Sequence, residues 1–348
     1  LKQFEEHGEV DFSLSYKGIG RFRGNAFRQR GEASVVLRHI NTDVPTVEDL
    51  GVPEVLKDLV MQRNGLILVV GATGSGKSTT LAAMIDHRNA SAGGHILTLE
   101  DPIEFVHNHK KAIVAQREVG TDTQSFSSGM KAALRESPDV ILMGEIRDLE
   151  TMEFALKFAN TGHLALSTLH ANNAITTMER ILGFFPKDGI EQQAKRIAQN
   201  LRAIVCQRLV PGKGGGKVAA VEVMINTGYI ADMIAKMEIG GIKDAIERGG
   251  QYKMQSFDQH LVKLYQEDRI TAETAIEYAD SSSNVKIQIK TADAGKRLSS
   301  DDWQSGLSLE PADGDDDPAV VAAPGDPADA FAAPTTLPAH RRGVRRSR

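Results

Sequence analysis

The stretch that decides the fold is a glycine-rich loop, Gly71-Ala72-Thr73-Gly74-Ser75-Gly76-Lys77-Ser78. It matches the pattern G-x-x-x-x-G-K-[S/T], in which backbone N–H groups cradle phosphates. An apolar run at 66–70 precedes the loop, and a stretch typical of a helix follows at 78–84. Helix N-termini attract anions. This context predicts a phosphate site rather than a turn that only joins a strand to a helix.

Separate roles are expected for the side chains of this loop. In such loops the lysine, here Lys77, reaches the β- and γ-phosphates, and the hydroxyl of Ser78 binds Mg²⁺. The other residues predicted to bind the nucleotide are Gly71, Thr73, Gly74, Ser75, Gly76 and Thr79. The loop therefore predicts binding of ATP or GTP together with Mg²⁺.

Hydrophobic periodicity around the loop predicts an α/β core over residues 54–225. Short apolar runs alternate with longer amphipathic stretches, and the runs are residues 66–70, 96–99, 140–143 and 164–166. This alternation is typical of βαβ units around a buried parallel sheet. Apolar residues at three- and four-residue spacing predict a helix over 190–209, with Cys206 as a small buried hydrophobe. A further strand is expected over 218–225.

Acidic residues follow two of these apolar runs. Glu100 comes after residues 96–99, and Glu145 comes after 140–143. Ligands gather outside the carboxyl ends of parallel strands, so both carboxylates are expected near the phosphate loop. Glu145 is predicted to approach Mg²⁺, through a water, and Glu100 to orient or deprotonate the attacking water. The choice of general base between them stays open, and a surface acid is the alternative for Glu145.

A histidine follows the next apolar run. Residues 162–170 finish with Thr168 and His170. A lone histidine is normally structural, but here three strands deliver polar groups to the edge that holds the phosphate loop. We therefore expect His170 to sense the γ-phosphate. A metal-binding role is not expected, because no His or Asp spacing resembles a ligand set.

Arginines cluster near the start of the chain. They are Arg21, Arg23, Arg28, Arg30 and Arg38. Alternating residues predict strands here, with turns at Gly18 and Gly31, and these strands carry Arg23 and Arg38. A solvated basic face is one interpretation. The other is that Arg23 and Arg38 are arginine fingers, supplied in trans to stabilise charge on the transferred phosphoryl group.

Composition excludes several classes of protein. The 348 residues carry 41 basic and 46 acidic side chains, a net charge of −5, which argues against non-specific nucleic-acid binding. The single cysteine, Cys206, excludes a disulfide framework or a cysteine-based zinc site within the chain. Because the sequence contains no long apolar run typical of a transmembrane helix, a cytoplasmic location is expected.

Five parts are expected along the chain. Residues 1–44 form a partial N-terminal domain, and residues 45–53 form a linker. The nucleotide-binding core spans 54–225, and a mostly helical part spans 226–290. Residues 291–348 combine Pro, Ala and Asp with low hydrophobicity, which is typical of a disordered tail.

The motifs as a set resemble those of secretion ATPases. Residues 71–78, 100–107, 139–148 and 162–170 are similar to the Walker A motif, Asp box, Walker B motif and His box. Residues 21–23 and 36–38 are similar to the family's N-terminal arginine strands, and 241–247 resembles a C-terminal helix motif of retraction ATPases. The chain is identified as a member of the type IV pilus retraction ATPases, the PilT/PilU family. Residues 171–174 and 200–203 are more similar to the PilU branch.

This resemblance implies a RecA-like P-loop ATPase core behind the back half of a PAS-like α/β domain. It implies a hexameric motor that hydrolyses ATP to ADP and phosphate and drives pilus retraction and twitching motility. The implied partners are further copies of the chain or a mixed assembly with PilT, and an inner-membrane platform protein at the pilus base. The implied location is cytoplasmic, peripheral at the inner membrane. The single cysteine favours retraction, because extension ATPases commonly carry a four-cysteine zinc module.

Two alternatives stay open. One is an accessory retraction subunit that depends on PilT and has little autonomous activity. The other is a RecA-like nucleic-acid motor, which needs basic loops that bind DNA. Residues 110–130 contain Lys110, Lys111 and Arg117 but also Glu118 and Asp122, and they offer no aromatic stacking platform.

Overall fold

This computed structural model describes residues 2–16, 19–40 and 43–299. The described part of the chain contains two separate β-sheets. The first sheet has three antiparallel strands that follow a short helix. These elements are α1 (Lys2–His7), β1 (Glu9–Tyr16), β2 (Gly20–Gln29) and β3 (Glu32–Ile40). The predicted strands are confirmed, and Gly31 turns the chain with φ of +87°. Gly18, predicted at the other turn, lies outside the described residues.

The register of the first sheet places two of the predicted arginines side by side. Arg23 on β2 lies directly opposite Arg38 on β3, so both are on one face of the sheet. Both side chains are exposed. Like charges directly opposite each other destabilise a sheet. Stabilisation of the sheet therefore does not explain why Arg23 and Arg38 lie opposite each other.

The connection between the two sheets is partly helical. Residues 45–53 are predicted as a linker, but they include helix α2 (Val47–Leu50), whose capping box joins Thr46 and Asp49. Val47 is 1% exposed and belongs to one of the hydrophobic cores. The predicted linker therefore contains a helical turn, which burial of Val47 and the capping hydrogen bonds stabilise.

The second sheet has seven strands. They are β4 (Gly65–Val70), β5 (His95–Glu100), β6 (Ile113–Glu118), β7 (Val140–Glu145), β8 (Leu164–Leu169), β9 (Leu201–Pro211) and β10 (Lys217–Ile225). Their spatial order is β10-β9-β4-β8-β7-β5-β6. Neighbours from β9 to β6 pair in parallel, and β10 is antiparallel to β9. The predicted parallel sheet and the strand at 218–225 are confirmed.

Helices cover both faces of this sheet and create two hydrophobic cores. They are α3 (Val55–Val60), α4 (Lys77–Ser91), α5 (Phe126–Ala133), α6 (Leu149–Asn160), α7 (Ala174–Gly183) and α8 (Ile190–Asn200). Ile67 and Val69 of β4 share one core with α3 and α4. Leu66 and Leu68 share the other with α6 and α8. The apolar run of β4 is thus buried on both faces, because successive side chains of a strand alternate.

The helix predicted over residues 190–209 is wrong in its second half. Helix α8 ends at Asn200, and the chain continues as β9 between β4 and β10. Four consecutive residues of β9 are fully buried, Ala203, Ile204, Val205 and Cys206. A helix with one covered face cannot bury four consecutive side chains, but a central strand can. Cys206 is a buried small residue as predicted, and burial raises the pKa of its thiol.

Strand β6 has no counterpart among the predicted strands. It lies at the edge of the sheet, and Ile113 at its start is 63% exposed. Its second half is polar and ends in Arg117 and Glu118. An edge strand pairs on one side only and is often marked by charge rather than by a continuous apolar run.

Helices form the remainder of the described chain, four of them short and the last 18 residues long. They are α9 (Gly228–Ala235), α10 (Ile242–Arg248), α11 (Phe257–Gln266), α12 (Ala272–Glu277) and α13 (Ser282–Ser299). The predicted start of a disordered tail at 291 is wrong, because α13 continues to Ser299 and buries Val285 and Ile289. The rest of the predicted tail, 300–348, lies outside the described residues. Within the described part of the chain, no helix has the length and apolar character needed to cross a membrane.

The outer edge of β10 is closed by residues that follow it in the chain. Val223 donates a backbone hydrogen bond to the carbonyl of Gln255 at 2.9 Å. His260 of α11 is 4% exposed, and its Nδ1 accepts a hydrogen bond from the N–H of Val221 at 2.9 Å. Burial lowers the pKa of His260 to about 4. The neutral imidazole therefore holds the strand edge.

Acid should weaken this contact. An unfolded histidine has a pKa of about 6.5, so between about pH 6.5 and pH 4 the unfolded chain binds the proton more readily than the folded one. The free energy of unfolding is therefore highest above about pH 6.5 and falls as the pH drops. His260→Asn keeps an acceptor oxygen that does not titrate. Urea unfolding should show a smaller loss of stability from about pH 7 to about pH 5 in this variant than in the wild type.

His7→Asn is the matched control, because His7 is exposed at the end of α1. It should keep the wild-type difference between the two pH values. The same pH difference in His260→Asn as in the wild type would contradict the role given to the neutral imidazole.

Candidate functional site

The carboxyl ends of four parallel strands open onto one cavity. Strand β4 runs into the glycine loop, and β5, β7 and β8 end beside it. The residues that line the cavity include Thr73, Gly74, Lys77, Ser78, Glu100, Asp101, Glu104, Glu145, Arg147, Thr168 and His170. The structure therefore brings the predicted groups Glu100, Glu145 and His170 together with the loop.

Glycine is required at two positions of the loop. Gly74 and Gly76 have φ of +76° and +88°, in the left-handed region that glycine tolerates. A Cβ at Gly76 would lie 2.7 Å from Nε2 of Gln207. Gln207 is itself fixed by a buried hydrogen bond that its Oε1 accepts from Thr80 Oγ1 at 2.7 Å. This contact joins α4 to β9 and holds the loop in place.

Lys77 folds back over the loop that precedes it. Its Nζ donates to the carbonyl oxygens of Gly71 at 2.9 Å and Ala72 at 3.0 Å. Burial lowers the pKa of Lys77, and the charges of Glu145 and Glu104 oppose that shift. Within the described residues Lys77 forms no ion pair with a carboxylate. Its charge is thus available to an anion.

Two further features of the loop fit a phosphate. The Oγ of Ser75 is buried and has no hydrogen-bond partner among the residues that the structure describes. Gly76 is the N-cap residue of helix α4 and provides no side-chain cap. A phosphate would give these groups a partner, and the partial positive charge of the helix N-terminus favours an anion there.

Glu100 is held at the end of β5 by two hydrogen bonds. Its Oε1 accepts from Thr98 Oγ1 at 2.7 Å and from Gln116 Nε2 at 3.2 Å. Burial raises the pKa of Glu100, and these two hydrogen bonds oppose the rise. A carboxylate with a raised pKa is a stronger base near neutral pH, which suits the abstraction of a proton from water.

Glu145 reaches the cavity from an irregularity at the end of β7. The pairing of β7 with β8 shifts by one residue at Gly144, just before Glu145. The Oε1 of Glu145 lies 3.1 Å from Nε2 of His170, and its Oε2 accepts from Arg147 Nε at 2.9 Å. Glu145 therefore lies between His170 and Arg147 beside the phosphate loop.

The donor set for a metal ion is small. In the described part of the chain, no group of three or more His, Cys, Asp or Glu side chains could hold a metal ion. Ser78 and Glu145 both line the cavity and could supply a hydroxyl and a carboxylate oxygen. Mg²⁺ prefers oxygen ligands and is usually bound by one or two protein groups together with phosphate oxygens and water. These residues fit Mg²⁺ that arrives with a nucleotide.

The predicted site residues do not all line the cavity. Gly71, Ser75, Gly76 and Thr79 belong to the loop and the first turn of α4 but are not among its lining residues. Arg23 lines a neighbouring space together with Asp101 and Pro102, which line both spaces. Arg38 lines neither. Their action as arginine fingers stays a prediction.

Three residues that shape the site were not predicted. Thr98 lies two residues before Glu100 on the same strand, so the period of a strand places both side chains on one face. Arg147 lies two residues after Glu145 but beyond the end of β7, so the period of a strand does not place it. Gln116 lies on β6, which no apolar run marks, so no sequence signal points to it.

Comparison with known proteins identifies related sequences. The family model described as "Type II/IV secretion system protein" matches residues 6–241. The type IV pilus ATPase PilU of Pseudomonas aeruginosa is 48% identical over 319 residues, which is 91% of this chain and 83% of that protein. The type IV pilus retraction ATPase PilT of the same organism is 46% identical over 283 residues, 81% of this chain and 82% of that protein.

Solved structures give the same relationship. The crystal structure of the pilus retraction motor PilT with bound ADP has a TM-score of 0.76 and 46% identity, and the match covers 80% of each chain. The Legionella pneumophila ATPase DotB has a TM-score of 0.68 and 28% identity, and the match covers 79% of this chain and 78% of that one. The motifs, the cavity and these similarities show that the chain belongs to the PilT/PilU family of type IV pilus ATPases, within the type II/IV secretion system proteins.

Proposed function

We propose that this chain is a Mg-dependent ATPase that powers or assists retraction of type IV pili, the basis of twitching motility. The observation that carries the proposal is that Lys77 of a phosphate-binding loop shares one cavity with Glu100, Glu145 and His170. Phosphoryl transfer to water needs a cation for the phosphates, a group that positions the water and donors for the developing charge. The similarity to PilU and PilT supports the link to pili.

Each side chain has its own role in the proposed reaction. Lys77 exchanges its two carbonyl contacts for oxygens of the β- and γ-phosphates. Ser78 and, through a water, Glu145 would hold Mg²⁺, which would neutralise charge on the phosphate oxygens. Glu100 accepts the proton of the water that attacks the γ-phosphorus, and ADP and phosphate are released. His170 contacts the γ-phosphate, and its Nε2 lies 3.1 Å from Glu145 Oε1, so it adjoins the proposed metal site.

Replacing the loop lysine should remove the activity. Lys77→Ala takes away the charge that the loop offers to the phosphates, so hydrolysis of Mg-ATP should fall at least about 10²-fold. The affinity for ADP should fall as well. Phosphate release in the steady state and calorimetric titration with ADP measure the two effects.

Lys110→Ala is the matched control. It breaks an ion pair on the surface, in which Lys110 Nζ lies 2.7 Å from Asp86 Oδ2. Surface ion pairs contribute about 0–1 kcal/mol to stability, so this variant should hydrolyse ATP at the wild-type rate. Wild-type hydrolysis by Lys77→Ala would contradict the ATPase proposal.

The pH profile should identify Glu100 as the general base. Because burial raises the pKa of Glu100, kcat should fall in acid at a higher pH than an ordinary glutamate would cause. Glu100→Gln should lower kcat by about 10²–10⁴-fold and lose this acid limb.

Thr98→Val removes a hydrogen bond that lowers the pKa of Glu100, so the acid limb of this variant should move to higher pH. An acid limb that survives in Glu100→Gln would assign the base elsewhere, with Glu145 as the next candidate.

We also propose that the active form is a hexameric ring in which Arg23 and Arg38 complete the site of a neighbouring chain. Their side chains are exposed and directly opposite each other, and neither lines the cavity of its own chain.

Hydrolysis per chain should therefore rise steeply with protein concentration and then saturate. Arg38→Ala should abolish this rise, whereas Arg30→Ala, at an exposed turn, should keep it. A rate per chain that is independent of concentration and survives Arg38→Ala would contradict the ring.

The accessory role is the second candidate, and it is the role that the resemblance of residues 171–174 and 200–203 to the PilU branch implies. In that case the chain alone would hydrolyse little ATP and would gain activity in a mixed assembly with PilT. An inner-membrane platform protein at the pilus base is the proposed further partner, which would place the chain at the cytoplasmic face of that membrane.

A nucleic-acid motor is disfavoured because two of the three basic side chains in residues 110–130 are paired with carboxylates, Lys111 being the third. Lys110 is paired with Asp86, and Arg117 with Glu136 at 2.8 Å. Phosphates of DNA would have to displace these carboxylates. Hydrolysis that is stimulated by DNA would reverse this conclusion.

A further inference from the structure

A buried carboxylate joins the N-terminal sheet to the catalytic edge of the core. Glu118 is the last residue of β6 and is 5% exposed. In the parallel pairing of β5 with β6 it lies directly beside Glu100. The proposed general base and this second carboxylate therefore end neighbouring strands.

Glu118 accepts hydrogen bonds from both parts of the chain. From the N-terminal sheet, Ser13 Oγ donates to Oε1 at 2.7 Å, and Arg21 Nη2 donates to Oε2 at 3.3 Å. From the core, Thr121 Oγ1 donates to Oε1 at 3.2 Å, and the backbone N–H of Ile103 donates to Oε2 at 3.2 Å. Each carboxylate oxygen thus contacts one donor from each side.

The contact with Ile103 acts on the nucleotide cavity. Ile103 lies within the segment 100–104, whose residues Glu100, Asp101 and Glu104 line that cavity. The side chain of Ile103 is 2% exposed. The backbone of this segment is therefore held from two directions, by the buried side chain of Ile103 and by the hydrogen bond from its N–H to Glu118.

The contact with Arg21 fixes the position of the sheet by charge. The Nε of Arg21 is buried without a hydrogen-bond partner among the described residues, so Glu118 supplies the charge that makes this burial tolerable. The Arg21 side chain is 24% exposed and that of Glu118 is 7% exposed, so removing Arg21 would leave the more buried partner, the carboxylate, without its ion pair. Arg23 is two residues further along β2, on the same face as Arg21, and it lines the space next to Asp101.

We propose that Glu118 is a positioning residue of the ATPase site. Through Ile103 it fixes the segment that carries Glu100, and through Ser13 and Arg21 it makes that position depend on the N-terminal sheet. The inference rests on the proposed ATPase function and adds to it a route by which the sheet controls hydrolysis.

The test is hydrolysis by Glu118→Gln in the full chain. The amide keeps the size of the side chain but turns one acceptor oxygen into a donor that faces other donors. The kcat for Mg-ATP should fall at least about tenfold, because misplacement of a catalytic group is costly, while the Kd for ADP stays within about twofold. In a Glu100→Gln background the same change should cause no further loss of kcat, since both act through one segment.

Two variants on the sheet side test the coupling and keep the proposal testable if Glu118→Gln does not fold. Ser13→Ala and Arg21→Gln should each lower kcat several-fold, again with little change in the Kd for ADP. Glu136→Gln is the matched control, because it removes the carboxylate that pairs with Arg117, the residue before Glu118 on β6. It should keep the wild-type kcat.

The outcomes separate this inference from the proposed function. Wild-type kcat in Glu118→Gln, with Lys77→Ala inactive, would overturn the positioning role and leave the ATPase proposal intact. Wild-type kcat in both sheet-side variants would overturn the coupling to the sheet, and a parallel loss of ADP affinity would reduce Glu118 to a structural role. No hydrolysis by the wild-type chain at any concentration would overturn the ATPase proposal and the positioning role with it.

Discussion

The parallel alignment of β4, β5, β7 and β8 is the constraint on which the site depends. Parallel strands end at the same edge, and these four are buried on both faces by helices. The residues that follow each strand are therefore the first that can present polar groups there. Lys77, Glu100, Glu145 and His170 come from four separate strand ends for this reason. The two hydrophobic cores hold that edge from opposite sides.

Much of this arrangement could be predicted because burial on both faces leaves a continuous apolar run. Such runs mark the four strands, so the convergence of Glu100, Glu145 and His170 on the loop follows from strand direction alone. The edge strand β6 is half polar and leaves no such mark, so neither Gln116 nor Glu118 could be assigned a role. The change from α8 to β9 was missed because no glycine or proline separates them, and the helical spacing continues by chance into the strand. Contacts between distant segments, such as Arg21 with Glu118, have no local pattern at all.

Hydrogen bonds and an ion pair to Glu118 connect the N-terminal sheet to the core. Burying the carboxylate of Glu118 is favourable only while its donors from both sides stay in place. A hydrophobic contact tolerates sliding, but a carboxylate with fixed donors does not. The position of the sheet and the position of Glu100 are therefore set by the same group. This arrangement suits a protein in which a movement of the N-terminal sheet must change the position of a catalytic group in the core.

The two carbonyl contacts of Lys77 have a consequence for the selectivity of nucleotide capture. A lysine that moves freely in solvent loses up to about 2 kcal/mol of rotamer entropy when a ligand immobilises it. Here the Lys77 side chain already donates to the carbonyl oxygens of Gly71 and Ala72. When a nucleotide binds, phosphate oxygens replace these acceptors, so the loss of side-chain entropy is small. The exchange is favourable only for oxygens more negative than a peptide carbonyl. The loop is thus preorganised to bind polyphosphate, and neutral ligands of similar shape gain no affinity from Lys77.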